Sequence, residues 1–246
     1  MKILLSGYNG HMGREVRQLI ENGAGNMVIA AGVDGVNQEG DVCVKSFAEV
    51  NAPLDCVIDF SHHSVTKALT EFCVSRRLPL VLATTGQTDE EKQLINECAT
   101  QIPVFFAANY SLGVALLIEL AKKTAAVFPD AEIEIVEAHH DRKLDAPSGT
   151  ALALAEAIKS VRPEAQTLCG RSGNKKREKN EIGISSVRLG NIVGIHEVIV
   201  GTQNQTITLK HEAHSRALFA EGALAAAEFI VNKPAGLYTM EHMVKA

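Results

Sequence analysis

The feature that most constrains the fold is a glycine-rich turn between a short apolar strand and a helix, near the start of the chain. Residues 2–5 read KILL, residues 7–13 read GYNGHMG, and apolar residues then recur at helical spacing up to residue 20. Glycine allows the backbone to leave a strand through a tight turn and enter a helix at once. The sequence therefore predicts a β-α unit of an α/β fold from its first residues.

Four more strand-like runs follow over the first 110 residues. They read MVIAAGV, CVIDF, PLVLATTG and IPVFFAAN, at 27–33, 56–60, 79–86 and 102–109. Near-continuous apolar strands that alternate with helices are typical of a parallel sheet covered on both faces. Thr88 with Glu91 three positions later matches a capping box and predicts the start of one helix. This half of the chain predicts a Rossmann-like parallel sheet.

The pattern changes after residue 110. A helix is predicted over 111–127, then the strand AEIEIVEA at 131–138, and then a helix that begins near Ser148. The runs EIGISSVRL, NIVGIHEVIV and QTITLKHEA follow, with a hairpin turn predicted at 202–204, and an alanine-rich helix is expected over 215–231. We expect antiparallel pairing among these runs, in a mixed and largely open sheet. Two domains are predicted: an α/β domain formed by residues 1–109 and 216–246, and an inserted α+β domain formed by residues 110–215.

Composition excludes several classes of function. The net charge of −5 gives no basic field for nucleic acid. No apolar run is long enough to span a membrane, and the N-terminal apolar run is too short for a signal peptide. The cysteines are scattered and form no C-x-x-C pair, which indicates reduced thiols in a cytoplasmic protein; they are Cys43, Cys56, Cys73, Cys98 and Cys169.

The turn GYNGHMG stands where a dinucleotide-binding turn would stand. Gly7 permits the tight turn, Gly10 leaves room for pyrophosphate oxygens, and Gly13 lets the helix pack on the strand. Asp34 ends the second strand, where a carboxylate can accept hydrogen bonds from ribose hydroxyls. The spacing is G-x-x-G-x-x-G, not G-x-G-x-x-G, so a glycine-rich turn without a ligand remains an alternative.

The residue after Asp34 bears on the choice between NADH and NADPH. Gly35 provides no cation for a 2′-phosphate, and the Asp34 carboxylate would repel one. The sequence therefore predicts a preference for NADH, which a lysine or arginine from a distant loop would overturn. Two further strand ends, ATTG at 83–86 and AANY at 107–110, are expected beside the cofactor, with Tyr110 against the nicotinamide. Ordinary loops are the alternative at both places.

The second motif is EAHHDRKLDAPSGTA at 137–151. His139 and His140 follow a strand, Lys143 adds positive charge, and Ser148 opens a helix whose first N–H groups can bind a carboxylate. These residues predict an anion pocket beside a titratable imidazole, which suits proton-coupled chemistry on a small acid.

Three alternatives to this anion pocket are open. The histidines with Asp141 or Asp145 could hold a metal, but H-E-x-x-H spacing is absent. Ser148 could be a nucleophile, but it lies in P-S-G and not in G-x-S-x-G. A plain loop before a capped helix is the third alternative. We expect no metal.

The motif resembles the signature of the 4-hydroxy-tetrahydrodipicolinate reductase (dihydrodipicolinate reductase) family of the diaminopimelate and lysine pathway. The resemblance extends over nearly the whole chain. It includes GYNGHMG, DFS (59–61), ATTG, ANYSLGV (109–115), IGISSVR (182–188), VGIHEV (193–198), SRALFAEGA (215–223) and PAGLYTM (234–240).

The resemblance implies an oxidoreductase that uses NADH or NADPH to reduce a cyclic imine dicarboxylate, with loss of water from the hydroxylated substrate. It also implies a homotetramer assembled through the second domain, which would bind the substrate while the first binds the cofactor. By resemblance, His139 and Lys143 are catalytic, and His140, Ser148, Gly149 and Thr150 bind the substrate. The implied cofactor contacts are Gly7, Tyr8, Asn9, Gly10, His11, Met12, Asp34, Ala83, Thr84, Thr85, Ala107, Ala108, Asn109 and Tyr110.

The sequence departs from the family pattern at three positions. His11 replaces the usual arginine of G-R-M-G, Leu189 lies where R-G-G is usual, and His242 replaces a more common aspartate. Two other functions remain open: a dinucleotide-binding sensor without catalysis, and another oxidoreductase that acts on an amino-acid semialdehyde.

Overall fold

A computed structural model describes residues 1–245 and divides the chain into two compact units. The first unit comprises Met1–Ser111 and the segment from Ala217 onward, and the second is Leu112–Arg216. The assignment of cofactor binding to the first unit, and of substrate binding and oligomerisation to the second, stays a prediction.

The secondary structure alternates over the first half of the chain and is richer in strands over the second. The strands are β1 (Lys2–Ser6), β2 (Val28–Val33), β3 (Cys43–Val44), β4 (Cys56–Asp59), β5 (Leu80–Leu82), β6 (Pro103–Phe106), β7 (Glu132–His139), β8 (Gln166–Cys169), β9 (Glu181–Arg188), β10 (Gly194–Gly201), β11 (Thr206–Ala213) and β12 (Gly236–Tyr238). The helices are α1 (His11–Glu21), α2 (Thr66–Arg76), α3 (Asp89–Ala99), α4 (Leu112–Val127), α5 (Gly149–Lys159), α6 (Ala217–Ile230) and α7 (Met240–Val244).

The first unit is a parallel sheet of seven strands within the described residues, in the order β12-β6-β5-β4-β1-β2-β3. Helices α1 and α6 pack together, and so do α2 and α3. The strands present Leu4, Val57, Leu80 and Val104 to a buried core that includes Leu69 of α2. The Rossmann-like fold is confirmed, and so is the capping box of Thr88 and Glu91 that opens α3.

Strands β3 and β12 extend the predicted five-stranded sheet at its two edges. Strand β3 has only two residues, and β12 has three. Neither is long enough to produce a periodic apolar pattern, so both were missing from the prediction. Strand β12 follows the last long helix and pairs in parallel with β6, with Leu237 opposite Val104.

The second unit is a mixed sheet with the order β11-β10-β7-β9-β8. Strand β10 pairs antiparallel with β7 and with β11, and the hairpin turn predicted between β10 and β11 is confirmed by the hydrogen bond from Thr202 N–H to Gln205 O. The antiparallel expectation was wrong for β9, which runs parallel to β7 and β8. Helix α5 intervenes between β7 and β8, and such a crossover returns the chain in the same direction.

The cysteines and the helices bear on the other predictions. Every cysteine is a free thiol, and burial raises the pKa of Cys56 to about 12. Within residues 1–245, no helix has the length and apolar character needed to cross a membrane. Over the same residues, no three histidine, cysteine or acidic side chains come together in a way that could hold a metal ion. The cytoplasmic location stays a prediction.

Candidate active site

The carboxyl end of β7 carries a buried carboxylate and a buried imidazole on one face of the sheet. Strand residues alternate between faces, so Ile133, Ile135, Glu137 and His139 share the buried face. The first two pack in the apolar core of the second unit. Glu137 is fully buried and His139 is 9% exposed, so the face changes from apolar to ionisable within one strand.

The neighbouring strands bring three more polar side chains to this place. In the register of β7 with β9, Ser186 lies beside Glu137, and Arg188 lies beside His139. In the register with β10, His196 lies opposite Glu137. The active-site cluster, as we call Glu137, His139, Ser148, Arg188 and His196, is therefore built at the end of three adjacent strands, with Ser148 from the start of α5.

Glu137 is the centre of the cluster. Its carboxylate accepts two hydrogen bonds from the Arg188 guanidinium, at 2.8 and 2.9 Å, and one from the Ser148 N–H at 3.1 Å. His139 Nδ1 lies 2.6 Å from its Oε2. Burial raises the pKa of Glu137, but the hydrogen bonds from Arg188, Ser186, His139 and Ser148 outweigh burial and bring it to about 2. The carboxylate is therefore ionised and can only accept.

This carboxylate fixes which His139 nitrogen carries the proton. Nδ1 must donate to Glu137, so Nε2 is the nitrogen that can exchange a proton. A Cβ on Gly194 would lie only 3.2 Å from this Nε2, so glycine at that position keeps the ring edge uncovered. Burial lowers the pKa of His139, and the raising effect of Glu137 is opposed by the charges of Lys143 and Arg188. His139 is therefore a neutral imidazole near pH 7.

Ser148 connects the cluster to α5. It is the N-cap residue of α5, and its Oγ accepts a hydrogen bond from Ala151 N–H at 3.2 Å. The same Oγ lies 3.0 Å from Nε2 of His196, whose ring meets that of His139 edge to face at 5.1 Å. Burial lowers the pKa of His196 to about 4. Ser148 is 2% exposed, while Gly149 is exposed at the first turn.

The remaining predicted substrate residues lie in the loop between β7 and α5. The Lys143 ammonium forms an ion pair with Asp145 at 2.7 Å and is 23% exposed. His140 donates its backbone N–H to Ile192 O at 2.7 Å, and its Nδ1 is buried without a hydrogen-bond partner among the described residues. Thr150 is half-buried in the first turn of α5. The structure therefore brings all six predicted catalytic and substrate residues to one end of the second unit.

The glycine-rich turn of the first unit has no space for side chains at its outer glycines. A Cβ on Gly7 would lie 2.4 Å from Phe60 O, and its φ of +77° is one that glycine favours. A Cβ on Gly13 would lie 2.1 Å from Gly7 O, whereas one on Gly10 would lie 3.1 Å from the same atom. Gly10 is the N-cap residue of α1, and His11 is the first residue of the helix and is exposed. The turn therefore leaves the N-terminus of α1 exposed to solvent.

Asp34 organises the loop that follows β2. Its Oδ2 accepts from Asn9 N–H, and its Oδ1 accepts from the N–H groups of Val36 and Asn37, all at 3.0 Å. Burial raises the pKa of Asp34, but these backbone hydrogen bonds outweigh burial and leave it below its ordinary value. The Asn9 amide crosses to the same loop, where it donates to Asn37 O and Glu39 O. The carboxylate is ionised and already holds the loop in place.

A cavity of about 570 Å³ lies between this turn and Asp34. A volume of a few hundred Å³ suits a nucleotide-sized ligand. Gly7 and Gly10 border it on one side and Asp34 on another. The apolar part of its wall includes Val36, Phe47, Phe60, Val65 and Ala68. An open glycine turn, a helix N-terminus, a carboxylate and an apolar slot together fit a dinucleotide.

The other predicted cofactor residues occupy the ends of β5 and β6. Thr84 donates its hydroxyl to the buried Asp59 carboxylate at 2.5 Å, which ties the end of β5 to the end of β4. Tyr110 is buried and donates to Leu82 O and Phe105 O, so its ring belongs to the core. The Tyr8 ring is also buried, against Gly32, Gly40 and Arg17. Met12, Ala83, Ala107 and Asn109 are half-buried, and Thr85 and Ala108 are exposed.

Three members of the active-site cluster were absent from the sequence prediction: Glu137, Arg188 and His196. Glu137 was visible in the motif, because a residue two positions before His139 on a strand shares its face. Arg188 and His196 are 51 and 59 positions after Glu137. Only the strand register brings them together, and a single sequence does not contain it.

Comparison with known proteins then decides the family. The model for the N-terminus of dihydrodipicolinate reductase matches residues 1–110, and the model for its C-terminus matches residues 113–244. The chain belongs to the dihydrodipicolinate reductase family. The family resemblance stated from the motifs is confirmed.

Relatives within the family cover the chain from end to end. The 4-hydroxy-tetrahydrodipicolinate reductase of Caldanaerobacter subterraneus subsp. tengcongensis is 44% identical over 248 aligned positions, which cover 100% of this chain and 98% of the relative. That of Clostridium tetani is 42% identical over 254 positions, with the same coverage. The solved structure of dipicolinate-bound dihydrodipicolinate reductase from Paenisporosarcina sp. TG-14 matches with a TM-score of 0.83 and 28% identity, covering 99% of both chains.

The structure accommodates the three departures from the family pattern. His11 is exposed at the start of α1. At the turn after β9, Gly190 takes the positive φ of 52°, so Leu189 does not have to, and its side chain is 63% exposed. His242 completes a capping box with Thr239 at α7, where its Nδ1 accepts the Thr239 N–H at 3.1 Å. None of these positions belongs to the active-site cluster.

Proposed function

We propose that this chain reduces 4-hydroxy-tetrahydrodipicolinate to tetrahydrodipicolinate, with loss of water, in the diaminopimelate and lysine pathway. The observation that carries the proposal is the His139 imidazole, oriented by the buried Glu137 carboxylate within the region that matches the C-terminal family model. One hydride and one proton enter the substrate ring, and one water leaves. The protein must therefore bind a dianion and move a proton.

The dicarboxylate needs two positive sites. The first turn of α5, at Gly149 and Thr150, presents backbone N–H groups and the positive end of the helix dipole. Lys143 provides the second site. Its ion pair with the exposed Asp145 contributes little, because water competes for both charges, so a substrate carboxylate can replace Asp145. His140 lies three residues before Lys143 in the same loop and is assigned to the same binding task.

Proton transfer is assigned to His139 and Lys143. Addition of hydride to a ring carbon leaves electron density that a proton must neutralise. Nε2 of His139 exchanges protons while Glu137 holds Nδ1, so the ring keeps one orientation in both protonation states. The Lys143 ammonium can deliver the proton that the neutral imidazole lacks. A positioned acid of this kind contributes about two to four powers of ten in rate.

The reduced cofactor would supply the hydride when bound. Gly7, Gly10 and the start of α1 would hold its pyrophosphate, and Asp34 its ribose hydroxyls. We propose that NADH is preferred, because the Asp34 carboxylate is ionised and disfavours a 2′-phosphate. We also propose a homotetramer that is assembled through the second unit, and catalysis without a metal.

The test is the initial rate with NADH and with NADPH, using substrate generated in the assay from pyruvate and aspartate semialdehyde by its synthase. Faster turnover with NADH is expected. Faster turnover with NADPH would keep the reaction and overturn the cofactor preference. Cofactor binding without turnover would overturn the proposed function and favour a sensor.

A further inference from the structure

Strand β3 brings a lysine beside Asp34 at the carboxyl edge of the first sheet. Val33 of β2 pairs in parallel with Val44 of β3, and Asp34 N–H donates to Val44 O at 3.0 Å. Asp34 and Lys45 are the next residues along the two strands. Neighbouring strands lie about 4.8 Å apart. The two side chains therefore leave the sheet from adjacent positions, although they are 11 residues apart in sequence.

Both side chains line the cavity of about 570 Å³ that borders the glycine-rich turn. Among the described residues of that wall, Lys45 is the one lysine or arginine. It is exposed, and it forms no ion pair with any described residue. Its ammonium group is thus available to an anion in the cavity.

The Asp34 carboxylate does not neutralise this lysine. Its oxygens accept hydrogen bonds from three backbone N–H groups at 3.0 Å. These bonds hold the carboxylate against the loop that follows β2. One edge of the cavity therefore presents a fixed acceptor for ribose hydroxyls and a separate, exposed cation. A ribose with two free hydroxyls satisfies the first, and a ribose 2′-phosphate requires the second.

We propose that Lys45 is the residue that lets this chain accept NADPH as well as NADH, by binding the 2′-phosphate beside Asp34. This inference rests on the proposed cofactor site. A phosphate monoester carries nearly two negative charges at pH 7, so the Asp34 carboxylate alone would exclude it. Lys45 offsets that repulsion from the neighbouring strand, and the absence of a cation at Gly35 does not prevent NADPH binding.

The test measures nucleotide fragments, so it does not depend on turnover. Isothermal titration calorimetry gives the affinities of the full-length protein and its Lys45→Ala variant for 2′,5′-ADP and for 5′-AMP. The substitution is expected to weaken 2′,5′-ADP binding by about tenfold or more, since one hydrogen-bonded charge is lost. Binding of 5′-AMP is expected to change less than about twofold. Added salt should weaken 2′,5′-ADP binding to the parent protein more than 5′-AMP binding.

Two control variants separate this role from general effects of charge. Lys45→Arg keeps the cation and should retain most of the affinity for 2′,5′-ADP. Lys2→Ala removes an exposed lysine from the opposite, amino end of the parallel strands, and should leave both affinities unchanged.

Different outcomes overturn different parts of the proposal. If Lys45→Ala weakens both fragments equally, or neither, Lys45 does not recognise the 2′-phosphate, and the cofactor site itself remains. If the parent protein binds neither fragment, the proposed cofactor site fails, and this inference fails with it.

Discussion

Nδ1 of His139 lies 2.6 Å from the fully buried carboxylate of Glu137, two residues earlier on the same strand face. The carboxylate is also bound by both terminal nitrogens of Arg188. The imidazole is therefore oriented by an ion pair whose charge is already compensated. Burial lowers the pKa of His139 and keeps it neutral near pH 7, and the contact with Glu137 leaves Nε2 as its reactive nitrogen.

His139→Gln tests the proton-transfer role directly. We expect turnover to fall at least about tenfold, since a positioned acid or base contributes on this scale or more. The affinity for NADH, measured by fluorescence titration, should stay near that of the parent protein. Turnover that survived the substitution would remove His139 from the mechanism.

Glu137→Gln tests whether the carboxylate positions the histidine. An amide can donate to Nδ1 as well as accept from it, so the imidazole loses its fixed orientation, and Arg188 loses its partner. We expect turnover to fall by roughly tenfold or more and the free energy of unfolding to fall by about 1–3 kcal/mol, because charge-assisted hydrogen bonds to the buried Glu137 are lost.

A matched control for this substitution is available on the same strand. Glu132→Gln changes an exposed glutamate at the start of β7 and should alter the unfolding free energy by less than about 0.5 kcal/mol. The pH profile distinguishes positioning from simple destabilisation. Loss of the Glu137 charge removes a contribution that raises the pKa of His139, so the acid limb of the rate profile should move to lower pH. An unmoved profile at normal turnover would contradict the positioning role.

The buried histidines predict a loss of stability below neutral pH. Burial lowers the pKa of His196 in the folded protein to about 4, from 6.5. Since the unfolded chain binds the proton first, stability is full above pH 6.5, falls as the pH decreases towards 4, and changes no further from this group below pH 4. The loss amounts to about 3 kcal/mol from His196. Burial of His139 and His211 acts in the same direction.

Denaturant unfolding at pH 7.5 and pH 4.5, at one fixed protein concentration, measures this loss. The variant His196→Asn should show a smaller difference between the two pH values than the parent protein. The control His11→Asn changes an exposed histidine and should keep the parent difference. If the parent protein and His196→Asn lose the same unfolding free energy between the two pH values, protonation of His196 does not cause the loss.

A cation next to Asp34 should favour NADPH further. A Cβ at Gly35 would meet no atom within 4 Å, so Gly35→Arg is sterically tolerated. We expect the ratio of kcat/KM for NADPH to that for NADH to rise about tenfold. Gly201→Arg adds the same charge in open space in the second unit and should leave the ratio unchanged. No change for Gly35→Arg would mean that this edge of the cavity does not discriminate between the cofactors.

Two glycines of the turn should respond differently to alanine. Gly13→Ala places a Cβ 2.1 Å from Gly7 O and should destabilise the fold, whereas Gly10→Ala places one at 3.1 Å and should be tolerated. Gly10→Ala should instead weaken NADH binding by about tenfold, since the methyl group takes the place meant for pyrophosphate oxygens. Thermal unfolding and fluorescence titration measure the two effects. Normal NADH affinity in a folded Gly10→Ala variant would argue against the cofactor site.

Local patterns predicted the parts of the fold that depend on local sequence. The strand–turn–helix at the start, the capping box at Thr88 and the helix cap at Ser148 each depend on residues a few positions apart, so the sequence contains them. Strand β3 has two residues and no pattern of its own, and Lys45 therefore stayed unnoticed beside Asp34. The parallel pairing of β9 with β7 depends on a crossover and not on alternation, and it is this pairing that brings Arg188 to Glu137.

Tyr110 shows what local sequence does not determine. Tyr110 follows a strand end, and the sequence predicted that it would pack against a nicotinamide. The structure places its hydroxyl between the carbonyl groups of Leu82 and Phe105. The position of Tyr110 at a strand end was visible in the sequence. The direction of its ring depends on packing among β5, β6 and α6. Helix α6 passes so close that a Cβ on Gly222 would lie 1.7 Å from Tyr110 O.

The pairing of β12 with β6 sets an order of events during synthesis. Strand β6 ends at Phe106, and its outer edge receives β12 only after Tyr238 has been made. Until then a nascent chain presents an unpaired parallel edge while more than a hundred further residues emerge from the ribosome. Exposed edges of this kind invite pairing with other chains. A released chain that is truncated just before β12 would therefore be prone to aggregate, whereas a chain that includes β12 would not.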